Sequence, residues 1–387
     1  MPVDRSAMPR ILAALLAGFG LALIPLAPMA SAADEPAARV TRIVLAREAG
    51  RTVLTLYPDE HGQNRDGVLL LPIPGEIEAS SGESVDGAAI DRLDVATMPR
   101  PVAEGTCTPP PESAPALAPD VSGDGRGPDS YYDIKIFSPA DTGMIERSLV
   151  ERHVVLSPAS RTTLAGYQKQ RMNFVLVGRV ANRLPVRPSS PPPALRIVYK
   201  SKNFMLPIRL NGNDRPQEWL IFALTRHGRV EAANYLTVKI QGDLELSPLT
   251  LHDFAKFHQS LFDRASHHGR SRAIVLEFAG SLSDCPHYFS QPLTAGTLGY
   301  LSAAGQPSGN GAEPDIFVTR LHIRYERRYF PEDLLFNETR DRAPFVARYP
   351  VRQPLGDRAG CRGERPARSA DALEDTPLYY ELLFGGR

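Results

Sequence analysis

RIVLAREAGRTVLTLY, residues 42–57, is the stretch that decides the fold class. Arg42 to Ala46 and Arg51 to Tyr57 are rich in Val, Leu, Ile and Thr, side chains that suit a pleated, half-buried surface. Glu48-Ala49-Gly50 interrupts them as a hairpin turn, so the two runs are expected to pair antiparallel. Outward from this hairpin, further strands are expected over Val68–Ile73, Asp133–Phe137, Asn173–Val180, Leu195–Tyr199 and Phe204–Leu210. The list continues with Trp219–Thr225, Tyr235–Ile240, Ala273–Phe278 and Ile316–Tyr325, and His227-Gly228 reads as a turn between two of them. Val68-Leu69-Leu70-Leu71 is apolar on both faces, which predicts a central, doubly covered strand. Helices are fewer. Leu251–Ala265 carries an apolar stripe with Thr250 or Ser247 as its cap, and Met144–Arg152 and Thr162–Gln170 read as shorter ones. Consecutive strands often lack an intervening helix, so the expected class is α+β, strand-rich, with mostly antiparallel sheets.

The N-terminus reads as a secretory signal. Arg5 and Arg10 precede an apolar run over Ile11–Ala27, and Ala30-Ser31-Ala32 supplies a small-residue cleavage site. Pro25 breaks that run, which is short for a spanning helix. Cleavage would leave a soluble mature chain beginning at Ala33, periplasmic or secreted, with no further stretch of spanning length. The 387 residues hold 44 basic and 44 acidic side chains. A neutral chain has no global field to draw it to nucleic acid, so no nucleic-acid partner is expected.

Domain organisation follows composition. Residues 1–32 are the signal, and 33–354 form one domain, with a division into two lobes near 184–194 as the alternative. Residues 101–130, rich in Pro, Ala, Gly and Ser, form an exposed excursion. LPVRPSSPPPA at 184–194 is a stiff connector, and 303–314 is a glycine-rich loop. Residues 355–387 are a tail in which LYYELLF at 378–384 is a strand candidate.

VYKSKNFMLPIRLNGNDRPQEWLIFALTRHGRVEAANYLTVKI (198–240) and IFVTRLHIRYERRYFPEDLLFNETRDRAPFVARYPVRQP (316–354) resemble a bacterial family known as domain of unknown function 2330. Weaker echoes lie at 51–74, 90–102 and 131–138, in order along the chain. The resemblance implies an exported protein, often with paired cysteines, and assigns no reaction, ligand or catalytic residue. The chain departs from the family pattern where relatives tend to carry two close cysteines, having Cys285-Pro286-His287 alone.

Cys107, Cys285 and Cys361 show no metal or Cys-x-x-Cys spacing, and one disulfide is expected in an oxidising compartment. Cys107 and Cys361 flank the core of the resemblance and are the favoured pair. Cys107–Cys285 and Cys285–Cys361 remain alternatives.

Ile316–Tyr325 alternates strictly. Phe317, Thr319, Leu321, Ile323 and Tyr325 point one way, and Val318, Arg320, His322 and Arg324 the other. Arg320, His322 and Arg324 therefore stand roughly 7 Å apart on one face, suited to a carboxylate, sulfate or phosphate, against the plainer reading of a solvent-facing strand. Tyr199, Lys200, Lys202 and Arg209 either extend that patch or form a solvated turn. Glu332-Asp333 reads as a turn or cap rather than an acid–base pair, and Trp219 as a core residue. His252 and His258 are a poor ligand pair; no metal site, cofactor, nucleophile elbow or phosphate loop is indicated. The expected function is an exported binding or interaction module taking an anionic small molecule or envelope protein. The alternative is an envelope hydrolase with a site assembled from distant residues. A deep pocket with His322 beside a serine or carboxylate would favour the hydrolase.

Overall fold

The computed structural model describes residues 40–57, 68–78, 81–85, 87–103, 131–180, 193–210, 217–268, 271–281, 301–303 and 315–351. β1 (Val40–Glu48) and β2 (Arg51–Tyr57) form the expected hairpin, with Glu48 opposite Arg51. Its two-residue turn holds Ala49 at φ 48° and Gly50 at φ 82°, the doubly left-handed geometry that matches strand twist. The chain then runs through β3 (Leu69–Ile73), α1 (Ala88–Thr97), β4 (Tyr132–Phe137), α2 (Thr142–Val150), α3 (Pro158–Lys169) and β5 (Asn173–Arg179). It continues with β6 (Ala194–Lys200), β7 (Gln217–Thr225), β8 (Thr237–Lys239), α4 (Phe254–Ser266), β9 (Ile274–Ser281), β10 (Phe317–Tyr325) and β11 (Leu334–Glu338).

A ten-stranded sheet organises the chain, with main path β8-β9-β10-β7-β1-β2-β6 ending on the two-residue strand Glu76–Ile77. Most neighbours are antiparallel; β1–β7 and β8–β9 are parallel. The class is strand-rich and mostly antiparallel, consistent with α+β though close to mainly β. Strands from before and after 184–194 share this sheet, since β1 and β2 lie between β7 and β6.

Both faces of the sheet are covered. One face sends Ile43, Leu54, Ile197, Ile221, Leu276, Leu321 and Ile323 against a three-stranded sheet in the order β3-β5-β4. The far side of that small sheet packs Phe174 and Leu176 on α2 and α3 through Ile145, Leu149, Leu164 and Tyr167. The other face of the large sheet meets Ile90, Leu93 and Ala96 of α1 and Phe254, Leu261 and Phe262 of α4. β3 corrects one expectation. It is covered on both sides, Leu69 and Leu71 toward one core and Val68 and Leu70 toward another, yet among the described residues it is an edge strand of the small sheet. Coverage on two faces makes a strand apolar whether or not it has two neighbours.

The Leu251–Ala265 stripe divides into a short helix at Pro248–His252, capped by Ser247 Oγ accepting from Thr250 N, and α4. Helix α3 starts earlier than expected because Ser157 caps it and Pro158 fills its first turn. The expected strand over Phe204–Leu210 shortens to Met205–Leu206, since Ile208 N and Arg209 N turn to the side chain of Asp333. Cys107, Cys285, Cys361, residues 104–130 and LYYELLF lie outside the described residues.

Candidate functional site

Arg320, His322 and Arg324 project from β10 toward the helix-covered face, as the alternation requires. Arg320 and His322 are 2% and 7% exposed, so the row lies between sheet and helices rather than in solvent. Arg320 Nε donates to Glu277 Oε2 at 2.7 Å, and its Nη1 donates to the Asp94 carboxylate and to Asp94 O at 3.1 Å. His322 Nδ1 meets Glu277 Oε1 at 2.8 Å, and its Nε2 lies 3.6 Å from Glu218 Oε2, too long for a hydrogen bond but close enough for Coulomb attraction. Arg324 donates to Glu218 Oε1 at 2.7 and 3.1 Å and to the Asp263 carboxylate on α4.

A continuous ionic row results. It begins where Arg42 of β1 donates to Asp91 at 2.7 Å and approaches Asp94 at 2.9 Å, both on α1. It passes through Arg320, Glu277, His322 and Glu218 to Arg324 and Asp263. His258 of α4 adds a second imidazole 3.2 Å from Glu277 Oε1. The row ties α1 and α4 to the sheet with alternating charge.

Local structure explains how Glu277 reaches its place. The β9–β10 register runs Val275↔His322, Leu276↔Leu321, then jumps to Phe278↔Arg320. That bulge leaves Glu277 as the extra residue, so Glu277 and Phe278 share the helix-covered face while Leu276 and Ala279 face the other core. Without it, Phe278 would turn away from α1 and its packing there would be lost.

Burial sets the electrostatics. Desolvation alone would raise the Glu277 carboxyl, but His322 and Arg320 hold it well below the usual carboxylate range. Desolvation likewise opposes charge on His322, yet Glu277 and Glu218 carry its pKa up to about 9. Glu218, also buried, is brought down to about 2 by His322 and Arg324. The imidazole is therefore a cation at neutral pH and cannot take a proton from a nucleophile. Phe262 stacks on it at 3.8 Å between centroids, and the Arg324 guanidinium lies over the same phenyl ring at 5.1 Å.

The three residues expected to bind an anion thus come together on one face, and each faces carboxylates of its own chain. An external anion there would have to displace Asp94, Glu277, Glu218 or Asp263. Among the described residues no group of three His, Cys, Asp or Glu side chains is placed to hold a metal ion. Arg209 belongs elsewhere, donating to Asp333 Oδ2 at 3.2 Å over the Tyr167 ring at 4.7 Å. Asp333, read from sequence as part of a turn, is a buried hub that also accepts from Tyr167 Oη and from Ile208 N at 2.9 Å. Lys200 is exposed, 3.9 Å from Glu78. Trp219 is buried and stacks on Tyr325 at 4.5 Å between centroids.

Sequence reading missed the anionic half of the row. Glu277 is a lone carboxylate inside the apolar run AIVLEFAG, and Asp94 lies on a helix not foreseen, where Ile90, Leu93 and Thr97 mark the buried stripe. Both signals were in the sequence.

No curated protein matches the chain. A solved structure of a mutated baculovirus P35 after caspase cleavage is similar at 10% identity over 49% of this chain and 67% of that one. Its TM-score of 0.25 is too low for the likeness to bear on fold or function. A family model described as an uncharacterized protein conserved in bacteria (DUF2330) matches residues 27–337, and the chain belongs to that family.

Proposed function

We propose that the chain is an exported binding or interaction module of the bacterial envelope rather than a hydrolase. One observation carries this reading. The cluster that most resembles an acid–base site, His322 with Glu277 and Glu218, is buried, mutually neutralised and capped by Phe262. A general base must be neutral and within reach of a substrate proton, and His322 is neither. Burial of charge in alternating order serves instead to fix α1 and α4 on the sheet, a rigid scaffold suited to presenting a surface.

Export is supported by the N-terminal signal pattern. Among the described residues no helix is long and apolar enough to cross a membrane. Protein isolated from its native host is expected to start at or near Ala33, read by intact mass. An N-terminus at Met1 or Pro2 would refute export.

The functional reading is tested on the mature protein purified from a periplasmic fraction. A thermal-shift screen of envelope small molecules, glycan fragments and peptides is expected to give a stabilising ligand that mass spectrometry recovers unchanged. Turnover of an ester, peptide, glycoside or phosphoester, abolished by His322→Gln in a protein that still folds, would establish the hydrolase instead.

A further inference from the structure

Strand β4 is an edge. Among the described residues it pairs with β5 alone, Tyr132 opposite Arg179 through Phe137 opposite Phe174. The ladder continues one step beyond, where Val180 N donates to Tyr131 O at 3.1 Å. Antiparallel alternation then turns the backbone groups of residues 131, 133 and 135 toward β5 and those of Ile134 and Ile136 away from it. Protected edges are short, bulged, covered or carry charged side chains, which disfavour any pairing that sets like charges opposite each other. This one shows Ile136 at 49% exposure, with Asp133 and Lys135 side chains 50% and 43% exposed on the opposite face.

The sequence of β4, YDIKIF, is self-complementary in one register. We propose that β4 is a self-association edge, joining a second copy of this chain across a two-fold axis at Ile134. Outward-facing backbone groups can only bond to outward-facing ones, so a two-fold ladder must be centred on a residue, not between residues. Centred at Ile134, Asp133 stands opposite Lys135 of the second copy, twice, as a non-hydrogen-bonded pair with side chains close together. Ile134 then exchanges two backbone hydrogen bonds with its counterpart, and Ile136 is covered. Moving the centre to residue 133 sets Asp133 against Asp133, and moving it to 135 sets Lys135 against Lys135. Opposite charges directly across an antiparallel pair attract and like charges repel, so charge selects the Ile134 register. Of the existing partners on the α2 side, Glu151 forms an exposed pair with Lys135 at 3.8 Å and competes weakly, while Arg152, 17% exposed, donates to one oxygen of Asp133, whose side chain stays 50% exposed. The two small sheets would become one of six strands.

Sedimentation velocity of the mature chain over a concentration series tests this independently of the ligand screen above. The wild type is expected to approach twice the monomer mass. Lys135→Asp and Asp133→Lys should each weaken association roughly tenfold or more, since each turns two attractions into two repulsions. The double variant Asp133→Lys with Lys135→Asp restores opposite charges and should recover the dimer. Both sites of change are exposed, and circular dichroism checks that each protein folds. A wild type that stays monomeric, single variants that associate like the wild type, or a double variant that fails to recover would each overturn the proposal.

Discussion

Replacing Glu277 by Ala is expected to destabilise the protein by roughly 3–5 kcal/mol, the range for removing one partner of a buried ion pair. Glu277 is fully buried and touches three cations or potential cations: Arg320 at 2.7 Å, His322 at 2.8 Å and His258 at 3.2 Å. Its loss leaves Arg320, 2% exposed, with Asp94 alone among the described residues to neutralise it. The pair itself adds little net stability, because desolvating two charges nearly cancels their attraction. What costs is the charge left behind. Arg342 and Asp315 supply the control, a pair at 2.8 Å with side chains 34% and 59% exposed. Asp315→Ala should cost no more than about 1 kcal/mol. Urea denaturation of both variants measures the contrast. Equal losses at the two sites would mean that water reaches the interior row. Glu277→Gln separates charge from shape, since it keeps the volume and one acceptor while removing the negative charge, and it should fall between wild type and Glu277→Ala.

Much of the frame could be read before the structure, and the reason is periodicity. The 42–57 hairpin is legible because Ala49-Gly50 supplies the left-handed turn between two β-branched runs. The two-sided pattern of β10 is legible because alternation divides Phe317, Leu321 and Ile323 from Arg320, His322 and Arg324. What covers that second face is a tertiary fact. Arg320 meets Asp94 across 226 positions and Glu277 across 43, separations that no local pattern encodes. The bulge at Glu277 breaks alternation where it matters most, placing a carboxylate and Phe278 on the same side. The strand looked like a basic surface because its counter-charges come from α1, α4, β7 and β9.

Stability is expected to fall as pH rises from about 6.5 to 9, by roughly 3 kcal/mol, through the titration of His322. The folded pKa, about 9, lies above the ordinary 6.5. A raised cation contributes its full stabilisation below the unfolded value and loses it as pH climbs through the folded one. The groups facing the ring come from every neighbour: Glu277 on β9, Glu218 on β7, Arg320 and Arg324 on β10, and His258, Phe262 and Asp263 on α4. Glu218 gives the acid limb. Its folded pKa of about 2 lies below 4.5, so its contribution is present above 4.5 and lost as pH falls toward 2. The two limbs describe one shared interaction and must not be added. Buried tyrosines do not intrude, because Tyr325 is raised to about 12 and the others are pushed higher still. The measurement is the urea midpoint at intervals from pH 5 to 10 for wild type and His322→Gln. The wild type should hold level to about pH 6.5 and then decline. The variant should be less stable at pH 6 and lack the decline, so that the two curves converge near pH 9 to 10. A wild-type midpoint that stays flat across this window would show that the imidazole is neutral in the folded protein. His322 would then be free of the charge that excludes it as a base, and the hydrolase reading would regain its strongest residue.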